Sequence, residues 1–218
     1  MYKRFFKRLF DIVVSLIAMP FIGVLLLIFA PIIYFTDRGP IFYNAERLGK
    51  DGRVFKMFKL RTMRVNAPDL RNPDGSTYNS DDDPRVTAVG RFMRKTSIDE
   101  LPQFFNVLIG NMSIVGPRAH IITNYKGYES LSEEKKRRLC VLPGITGYSQ
   151  AYYRNSATFE ETIAQDIYYV DNLSLWFDVK IFFKTIFSVL KRENIYVNTP
   201  PENVVEFVAE KETTGAEK

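Results

Sequence analysis

The longest apolar segment of the chain lies near its N-terminus. Between Asp11 and Asp37 the sequence runs for 25 residues without a charged side chain. A helix that crosses the hydrocarbon core of a bilayer needs about 20 apolar residues, so this segment is long enough to be embedded in a membrane. A secretory signal peptide is a poor alternative, because the apolar run is too long and no small-residue cleavage site ends it.

Both flanks of this segment are basic. Lysine and arginine favour the cytoplasmic side of a membrane, and here they occur at both ends. The segment also contains Pro20 and Pro31, and prolines kink or break helices in their interiors. Two interpretations stay open: a re-entrant helix–break–helix that returns to the face it entered, and a kinked single span. The flanking basic residues are Lys3, Arg4, Lys7 and Arg8 on one side and Arg38, Arg47, Lys50, Arg53, Lys56, Lys59 and Arg61 on the other.

After this segment, short apolar stretches alternate with polar turns. The Gly-Lys-Asp-Gly run at 49–52 predicts a β-hairpin turn. Residues 66–84 form a polar stretch of a length that is typical of functional or disordered segments. Hydrophobic spacing and end signals predict helices at 97–109, 132–139, 159–171 and 174–192, with a turn at 143–147.

The last of these helices is amphipathic, with one acidic exception. Lys180, Lys184 and Lys191 share one face, and apolar side chains form the opposed face. Asp178 falls at the edge of the apolar face, so we expect it to be partly buried and to need a partner. The simpler alternative is a first-turn acid that is stabilised by the helix dipole.

Composition narrows the class of protein only a little. The chain has 218 residues, of which 46% are hydrophobic and 25% charged, which suits one domain with appendages and excludes a wholly disordered or fibrous protein. A single cysteine excludes an internal disulfide framework and favours a reducing compartment. The net charge of +5 suits a membrane surface, a phosphate-bearing substrate or nucleic acid, but the long uncharged segment argues against nucleic acid.

Carboxylates and arginines are the side chains left for catalysis. The chain has one histidine, which excludes a His-rich metal site, and it lacks both standard nucleotide-binding fingerprints. Asp99 and Glu100 stand at the predicted start of a helix, whose positive end favours the ionised forms that a nucleophile or metal ligand requires. Ser97-x-x-Glu100 also fits a capping box, in which Glu100 would only bind a backbone amide. The nearby residues that could hold phosphate oxygens are Arg91, Arg94, Lys95 and Arg118.

Six segments, taken in order, resemble a single family. They are KRLFD (7–11), GPIFYNAERLG (39–49), FKMFKLRTM (55–63), TSIDELPQFFNVLIGNMSIVGPR (96–118), PGITGYSQ (143–150) and DIYYVDNLSLWFDVKI (166–181). Over about residues 3–192 the chain is similar to the small monotopic phosphoglycosyl transferases, the bacterial sugar transferases that start lipid-linked glycan assembly. The resemblance implies an α+β, mostly helical fold with surface amphipathic helices. It divides the chain into an N-terminal re-entrant membrane helix–break–helix (1–37), a small cytoplasmic catalytic domain (38–200) and a polar C-terminal tail (201–218).

The resemblance also implies roles for individual residues. The Asp-Glu pair of the family falls on Asp99 and Glu100. Its aspartate attacks the β-phosphate of a UDP-sugar, displaces UMP and becomes a phosphosugar-bearing aspartate, while its glutamate, with the aspartate as a second candidate ligand, helps bind Mg²⁺. The candidates for binding substrate phosphate are Lys59, Arg94 and Arg118, and further candidate site residues are Asp178 and Arg154.

The expected function is transfer of sugar 1-phosphate from a UDP-sugar to polyprenyl (undecaprenyl) phosphate, with release of UMP. The reaction would occur at the inner leaflet of a bacterial plasma membrane and initiate capsule, exopolysaccharide, O-antigen or glycoprotein glycan synthesis. The alternative is a non-catalytic membrane-tethered scaffold or anionic-lipid-binding protein, whose basic flanks bind headgroups. The chain departs from the family at Gly23-Val24, where members break the membrane helix with Ser-Pro, and nothing in the sequence identifies the sugar.

Overall fold

Helices account for most of the structure, a computed structural model that describes residues 2–71, 78, 80–121, 127–153, 157–191 and 205–206. The α-helices are α1 (Lys7–Asp37), α2 (Ala88–Thr96), α3 (Gln103–Ile109), α4 (Glu133–Arg138), α5 (Tyr148–Tyr152), α6 (Phe159–Asp171) and α7 (Leu175–Lys191). The strands are β1 (Ala45–Leu48), β2 (Val54–Met57), β3 (Leu70–Arg71), β4 (Ser113–Val115), β5 (Gly144–Thr146) and β6 (Val205–Glu206). The prediction of a mostly helical α+β fold is confirmed.

Helix α1 contains the long apolar segment. It is continuous from Lys7 to Asp37, so the predicted helix–break–helix is not observed, and the helix is also unbroken at Gly23-Val24, where the chain departs from the family. Pro20 and Pro31 lie inside α1 and are exposed. Each proline removes one backbone hydrogen bond, which bends a helix more readily than it ends one. Of the helices that the structure describes, α1 is the one long and apolar enough to cross a membrane.

Both ends of α1 contact the part of the chain that follows it. Near the N-terminal end, the buried carboxylate of Asp11 accepts hydrogen bonds from the Ile114 amide at 2.8 Å and the Ser113 hydroxyl at 3.0 Å. At the C-terminal end, the two carboxylate oxygens of Asp37 accept from the Arg61 guanidinium at 2.6 and 2.7 Å. One folded body therefore holds α1 at both ends.

The outer side of α1 is apolar and exposed. Phe21, Leu27 and Phe35 are 69%, 78% and 77% exposed, and α7 contributes Trp176 and Leu190 at 78% and 73%. Large apolar side chains that are exposed in such number mark a contact surface of a protein. Together α1 and α7 present a surface that suits a membrane.

The predicted β-hairpin is present. Strands β1 and β2 are antiparallel, with Leu48 opposite Val54, and the turn places Asp51 in the left-handed region at φ 55°. Part of the polar stretch at 66–84 is folded, since Asp83 is fully buried and pairs with Arg85 at 2.7 Å.

The predicted polar tail, 201–218, lies outside the described residues except for β6. Strand β6 pairs antiparallel with β3, which belongs to the polar stretch at 66–84. No sequence pattern indicated this pairing, because both strands are only two residues long.

Strands β4 and β5 form a parallel pair in the interior. The sequence predicted only a turn at 143–147, and that prediction is wrong, because Gly144–Thr146 pairs with Ser113–Val115. A Cβ atom on Gly144 would lie 2.1 Å from the Gly116 amide nitrogen, so the close approach of the two segments requires glycine. Helices α6 and α7 cover β4 and bury Tyr169 and Ile181 completely.

Three of the predicted helices form close to the predicted bounds. They are α4, α6 and α7, and α6 begins at a capping box in which Thr158 and Glu161 bind each other's backbone amides. Asp178 is 1% exposed on α7, so its predicted burial is confirmed.

Candidate active site

The segment that carries the Asp-Glu pair is a tight turn between two helices. Ser97 ends α2 in the left-handed conformation at φ 57°, and Ile98–Glu100 then makes one 3₁₀ turn before α3 starts at Gln103. The single helix predicted over 97–109 is therefore wrong in its first part. Pro102 explains the difference, because it has no amide hydrogen to bind the carbonyl four residues earlier.

The capping-box interpretation of Glu100 is also wrong. The Ser97 side chain makes no capping hydrogen bond. The Glu100 carboxylate instead lies 3.3 Å from Lys59 Nζ and 3.5 Å from Arg118 Nη2. Glu100 therefore does not cap a helix, which was the structural role that competed with a role in catalysis.

Asp99, Glu100, Lys59 and Arg118 form one cluster of charged side chains, which we call the charge cluster. Lys59 Nζ is 2.8 Å from Asp99 Oδ2 and 3.3 Å from Glu100 Oε1. Side-chain exposure rises from 3% at Asp99 to 22–23% at Glu100 and Lys59 and 50% at Arg118. The cluster therefore opens to solvent on the side of Arg118, with Asp99 at its closed end.

Electrostatics fix the charges of two members of the cluster. Burial opposes ionisation of Glu100, but Lys59 and Arg118 outweigh it and hold the pKa of the Glu100 carboxyl at about 2. Burial likewise opposes the charge on Lys59, yet Asp99 and Glu100 raise the pKa of its ammonium above the ordinary value. At neutral pH Glu100 is ionised and Lys59 is protonated.

Backbone contacts set the position of Lys59 relative to Asp99. The Leu60 amide donates to the Asp99 carbonyl at 2.9 Å. The fully buried side chain of Asn106 on α3 accepts from the Phe58 amide and donates to the Lys56 carbonyl, both at 2.8 Å. Asn106 therefore ties the segment with Lys59 to the helix that follows Asp99.

Asn106 was not predicted as a positioning residue, although the sequence around it indicates a buried amide. Asn106 is the polar residue in the otherwise apolar run FFNVLIG at 104–110. A buried amide needs hydrogen-bond partners, and the run predicts that it is buried.

A buried ion pair supports the backbone of Arg118. This pair was not predicted from the sequence. Arg138 Nε is 2.6 Å from Asp166 Oδ2, and both side chains are at most 5% exposed. Arg138 also donates to the carbonyl of Arg118. Breaking a buried pair of this kind costs about 3–5 kcal/mol, so Arg138 and Asp166 are positioning residues for the cluster.

The other candidates lie in different places. Arg94 on α2 donates from Nε to Thr62 Oγ1 at 3.0 Å, so it lies against the segment that contains Lys59. Asp178 belongs to a separate buried network, in which Lys7 Nζ lies 2.7 Å and the Tyr169 hydroxyl 2.7 Å from its carboxylate. Arg154 lies outside the described residues.

The donor set of the cluster fits Mg²⁺. Asp99 and Glu100 both direct a carboxylate oxygen at the same nitrogen, Lys59 Nζ, so positive charge at that position is already stabilised. Among the residues described by the structure, no group of three or more acidic, histidine or cysteine side chains could hold a metal ion. Mg²⁺ commonly uses one or two carboxylates and takes its other ligands from substrate phosphates and water.

Comparison with known proteins gives matches over most of the chain. Residues 2–192 match the bacterial sugar transferase family. The galactosyl transferase CpsE of Streptococcus agalactiae serotype III is 41% identical over 192 residues, covering 84% of this chain and 42% of that protein. The UDP-glucose:undecaprenyl-phosphate glucose-1-phosphate transferase of Klebsiella pneumoniae is 40% identical over 196 residues, covering 88% and 41%. The exopolysaccharide production protein PSS of Rhizobium leguminosarum bv. phaseoli is 39% identical over 194 residues, covering 85% and 96%.

The extent of these matches differs among the relatives. The chain spans about two-fifths of the length of the first two proteins and nearly the whole of the third. The region that matches the family contains all seven of the α-helices that the structure describes, and the whole charge cluster. This chain belongs to the bacterial sugar transferase family.

Proposed function

We propose that the chain transfers sugar 1-phosphate from a UDP-sugar to a polyprenyl phosphate such as undecaprenyl phosphate, releases UMP and so initiates lipid-linked glycan synthesis. The observation that carries this proposal is the charge cluster, in which Lys59 contacts both Asp99 and Glu100 beside the half-exposed Arg118. The relative from Klebsiella pneumoniae is named for a donor and an acceptor of these classes. A scaffold or lipid-binding protein has no use for such a cluster, which favours catalysis over that alternative.

In the first step, a carboxylate oxygen of Asp99 attacks the β-phosphorus of the UDP-sugar. The bond from that phosphorus to the oxygen bridging the two phosphates breaks, and UMP leaves with the electron pair. The product on the protein is an aspartyl phosphate that carries the sugar. An aspartate nucleophile divides one difficult transfer into two easier ones.

In the second step, a phosphate oxygen of the polyprenyl phosphate attacks the phosphorus of this aspartyl phosphate. The Asp99 carboxylate leaves, and the product is a polyprenyl diphosphate sugar. No base is needed in either step, because both nucleophiles are already anionic oxygens.

The cations of the site suit this chemistry. Phosphoryl transfer depends mostly on positioning and on neutralising the charge of the phosphate oxygens. Arg118 is the most exposed of the cluster and is placed to bind the incoming phosphates first, with Lys59 closer to Asp99. Arg94 would bind phosphate from the neighbouring segment if its hydrogen bond to Thr62 is exchanged.

Glu100, with Asp99, would hold Mg²⁺ in this site. When bound, Mg²⁺ would neutralise the charge of the diphosphate and of the leaving UMP. Glu100→Gln keeps the shape of the side chain but removes its charge, so we expect turnover to fall by about 10²-fold or more. Glu134→Gln, on the exposed face of α4, is the matched control. A Glu100→Gln enzyme with wild-type turnover and wild-type Mg²⁺ dependence would contradict the assignment.

We place residues 1–37 in the membrane and the catalytic domain of residues 38–200 at its cytoplasmic face. The tail at 201–218 joins this domain at β6, which pairs with β3. The contacts of Asp11 and Asp37 with one folded body support an arrangement in which both ends of α1 lie on the same side of the membrane. Since α1 is continuous, a re-entrant course would require it to bend at Pro20 and Pro31 and not to break. The basic residues on both flanks favour the cytoplasmic side of a bacterial plasma membrane.

The re-entrant arrangement can be tested by labelling. In a Cys140→Ser background, cysteines introduced as Lys3→Cys and Lys50→Cys should both react with a membrane-impermeant maleimide only when the reagent is supplied on the cytoplasmic side. Labelling of the two positions from opposite sides would establish a single span and reject the re-entrant arrangement.

The identity of the transferred sugar is to be determined by experiment. The direct test of the proposed function is a UMP-release assay with a panel of UDP-sugars, Mg²⁺ and undecaprenyl phosphate in detergent. One donor of the panel should support UMP release that depends on both Mg²⁺ and acceptor. Absence of UMP release from the folded protein with every UDP-sugar of the panel would contradict the proposal.

A further inference from the structure

A pair of aromatic rings lies near the open side of the charge cluster. The imidazole ring of His120 and the ring of Phe159 pack with their centroids 5.2 Å apart and their planes tilted by 37°. His120 is partly buried, whereas Phe159, the first residue of α6, is 56% exposed. Aromatic faces combined with nearby cations bind nucleotides by stacking on their bases.

His120 lies on the same side of its segment as Arg118. The segment is paired like a strand, since Arg118 pairs with Gly144 and Ile121 pairs with Arg47. Side chains two residues apart in an extended segment lie on one side of it. The charge of Arg118 is also close enough to contribute to lowering the pKa of the His120 imidazole.

Helix α6 brings Phe159 to the same place. Asp166 follows Phe159 by seven residues, or about two helical turns, so both side chains lie on one face of α6. Asp166 binds Arg138 at 2.6 Å, and Arg138 donates to the carbonyl of Arg118. Direct contacts therefore hold the face of α6 that carries Phe159 against the backbone of Arg118.

The surroundings of His120 keep its imidazole neutral. Burial lowers its pKa, and four nearby cations lower it further, to about 2. These cations are Arg138, Arg118, Arg47 and Lys135. A neutral imidazole has one nitrogen that donates a hydrogen bond and one that accepts it. The edge of a uracil base likewise has an N–H donor beside carbonyl acceptors, and the surrounding cations favour a phosphate.

The geometry of the proposed reaction directs the nucleotide towards these rings. In phosphoryl transfer the attacking and leaving oxygens lie roughly in line with the phosphorus. Asp99, the proposed nucleophile, is at the closed end of the charge cluster, and Arg118 is at the open end. The leaving UMP therefore lies on the side of Arg118, and its nucleoside extends beyond Arg118 towards His120 and Phe159.

We propose that Phe159 and His120 bind the uracil base of the donor, with Arg118 binding the α-phosphate between this base and the reacting phosphorus. Phe159 supplies the face on which the base stacks, and His120 hydrogen-bonds the polar edge of the base. The proposal rests on the proposed function and adds the residues that recognise the nucleotide. The same residues bind the product UMP, so UMP alone serves as a probe of the site.

Equilibrium dialysis of UMP against the intact protein in detergent, with Mg²⁺ and without UDP-sugar or acceptor, tests the site. Phe159→Leu removes the ring at an exposed position, and leucine favours a helix more than phenylalanine does. Loss of base stacking should raise the Kd for UMP about 10-fold. His120→Phe keeps a ring against Phe159 but removes both nitrogens, and we expect the Kd to rise about 3- to 10-fold.

Three controls identify contact with the base as the cause. Phe159→Tyr retains the ring and should keep the Kd for UMP within about two-fold of wild type. Phe187→Leu makes the same change at a 60% exposed residue of α7 and should also keep the wild-type Kd. Ribose 5-phosphate, which has the phosphate but no base, should bind equally to wild type and Phe159→Leu. In steady-state assays Phe159→Leu should raise the KM for UDP-sugar with kcat nearly unchanged, because the base contact is the same before and during the transfer.

Each contrary result has a defined consequence. A Kd for UMP within about two-fold of wild type in either Phe159→Leu or His120→Phe would reject the base site. An equal rise in Phe159→Tyr or Phe187→Leu, or weaker binding of ribose 5-phosphate to Phe159→Leu, would also reject it. These results leave the proposed function intact as long as the wild-type protein releases UMP from a UDP-sugar. Absence of that release would reject the proposed function and the base site with it.

Discussion

Asp99→Asn is expected to abolish turnover, with a loss of roughly 10³- to 10⁶-fold, because an amide cannot replace the carboxylate as nucleophile. Asparagine has almost the same shape as aspartate, so the hydrogen bond from Leu60 to the backbone of residue 99 should persist. The measurement is steady-state UMP release with saturating UDP-sugar and undecaprenyl phosphate.

Two controls show whether the loss of turnover in Asp99→Asn comes from the missing nucleophile or from a disturbed fold. Asp99→Glu retains the charge but displaces the attacking oxygen by about 1 Å, and we expect it to lose about 10²-fold in a reaction that depends on positioning. The unfolding midpoint of each variant shows whether loss of the contact with Lys59 has disturbed the fold. If folded Asp99→Asn kept a clear fraction of wild-type turnover, direct attack by the lipid phosphate within a ternary complex would replace the two-step scheme.

Lys7→Met is expected to cause a large loss of stability. Lys7 lies at the start of α1 with its side chain 9% exposed, and its ammonium binds Asp178, the Tyr169 hydroxyl and the Val115 carbonyl. Burial and the neighbouring Asp178 raise the pKa of Tyr169, which keeps this hydroxyl protonated as a donor to the same carboxylate. Removal of the ammonium leaves a buried carboxylate without its cation, at a cost of about 3–5 kcal/mol.

This loss should appear as a fall in the unfolding midpoint of roughly 6–20 °C in detergent. Lys180→Met is the control, because Lys180 is an exposed lysine on α7, two residues from Asp178. The double variant Lys7→Met, Asp178→Leu should recover a large part of the loss, since it buries no unpaired charge. A midpoint for Lys7→Met equal to that of Lys180→Met would show that the buried pair does not hold α1 to α7.

The same network shows what a local pattern can predict. The helical spacing around Asp178 was enough to predict that this carboxylate is buried and needs a partner. It could not identify the partner, because Lys7 lies 171 positions earlier in the chain. In the sequence, Lys7 was only one of several basic residues that flank the apolar segment.

The site shows the same division between local and long-range information. The motif with Asp99 and Glu100 located the site, and the resemblance assigned Lys59 and Arg118 to it. Local propensity failed at the turn itself, where Pro102 separates the pair from α3. Asn106, Arg138 and Asp166 were missed because their partners lie far away in sequence.

The predicted break in α1 is absent for a different reason. Pro20, Pro31 and Gly23 all weaken a helix, and the expected break was inferred from them together with the basic flanks. A long apolar helix tolerates two prolines when the neighbouring turns keep their hydrogen bonds, and α1 is continuous. Our proposal that both ends of α1 lie on the same side of the membrane rests on the contacts of Asp11 and Asp37, which no sequence pattern indicated.

The mass of the protein after incubation with UDP-sugar tests the covalent role of Asp99 most directly. Wild-type protein, Mg²⁺ and the active UDP-sugar, without polyprenyl phosphate, should release at most one UMP per active site, and the protein should gain the mass of one sugar phosphate. Peptide mapping should place the added mass on Asp99, hydroxylamine should remove it, and undecaprenyl phosphate should discharge it to a lipid diphosphate sugar. Continuous turnover with acceptor but no added mass without it, or added mass on a residue other than Asp99, would contradict the assignment of Asp99 as nucleophile.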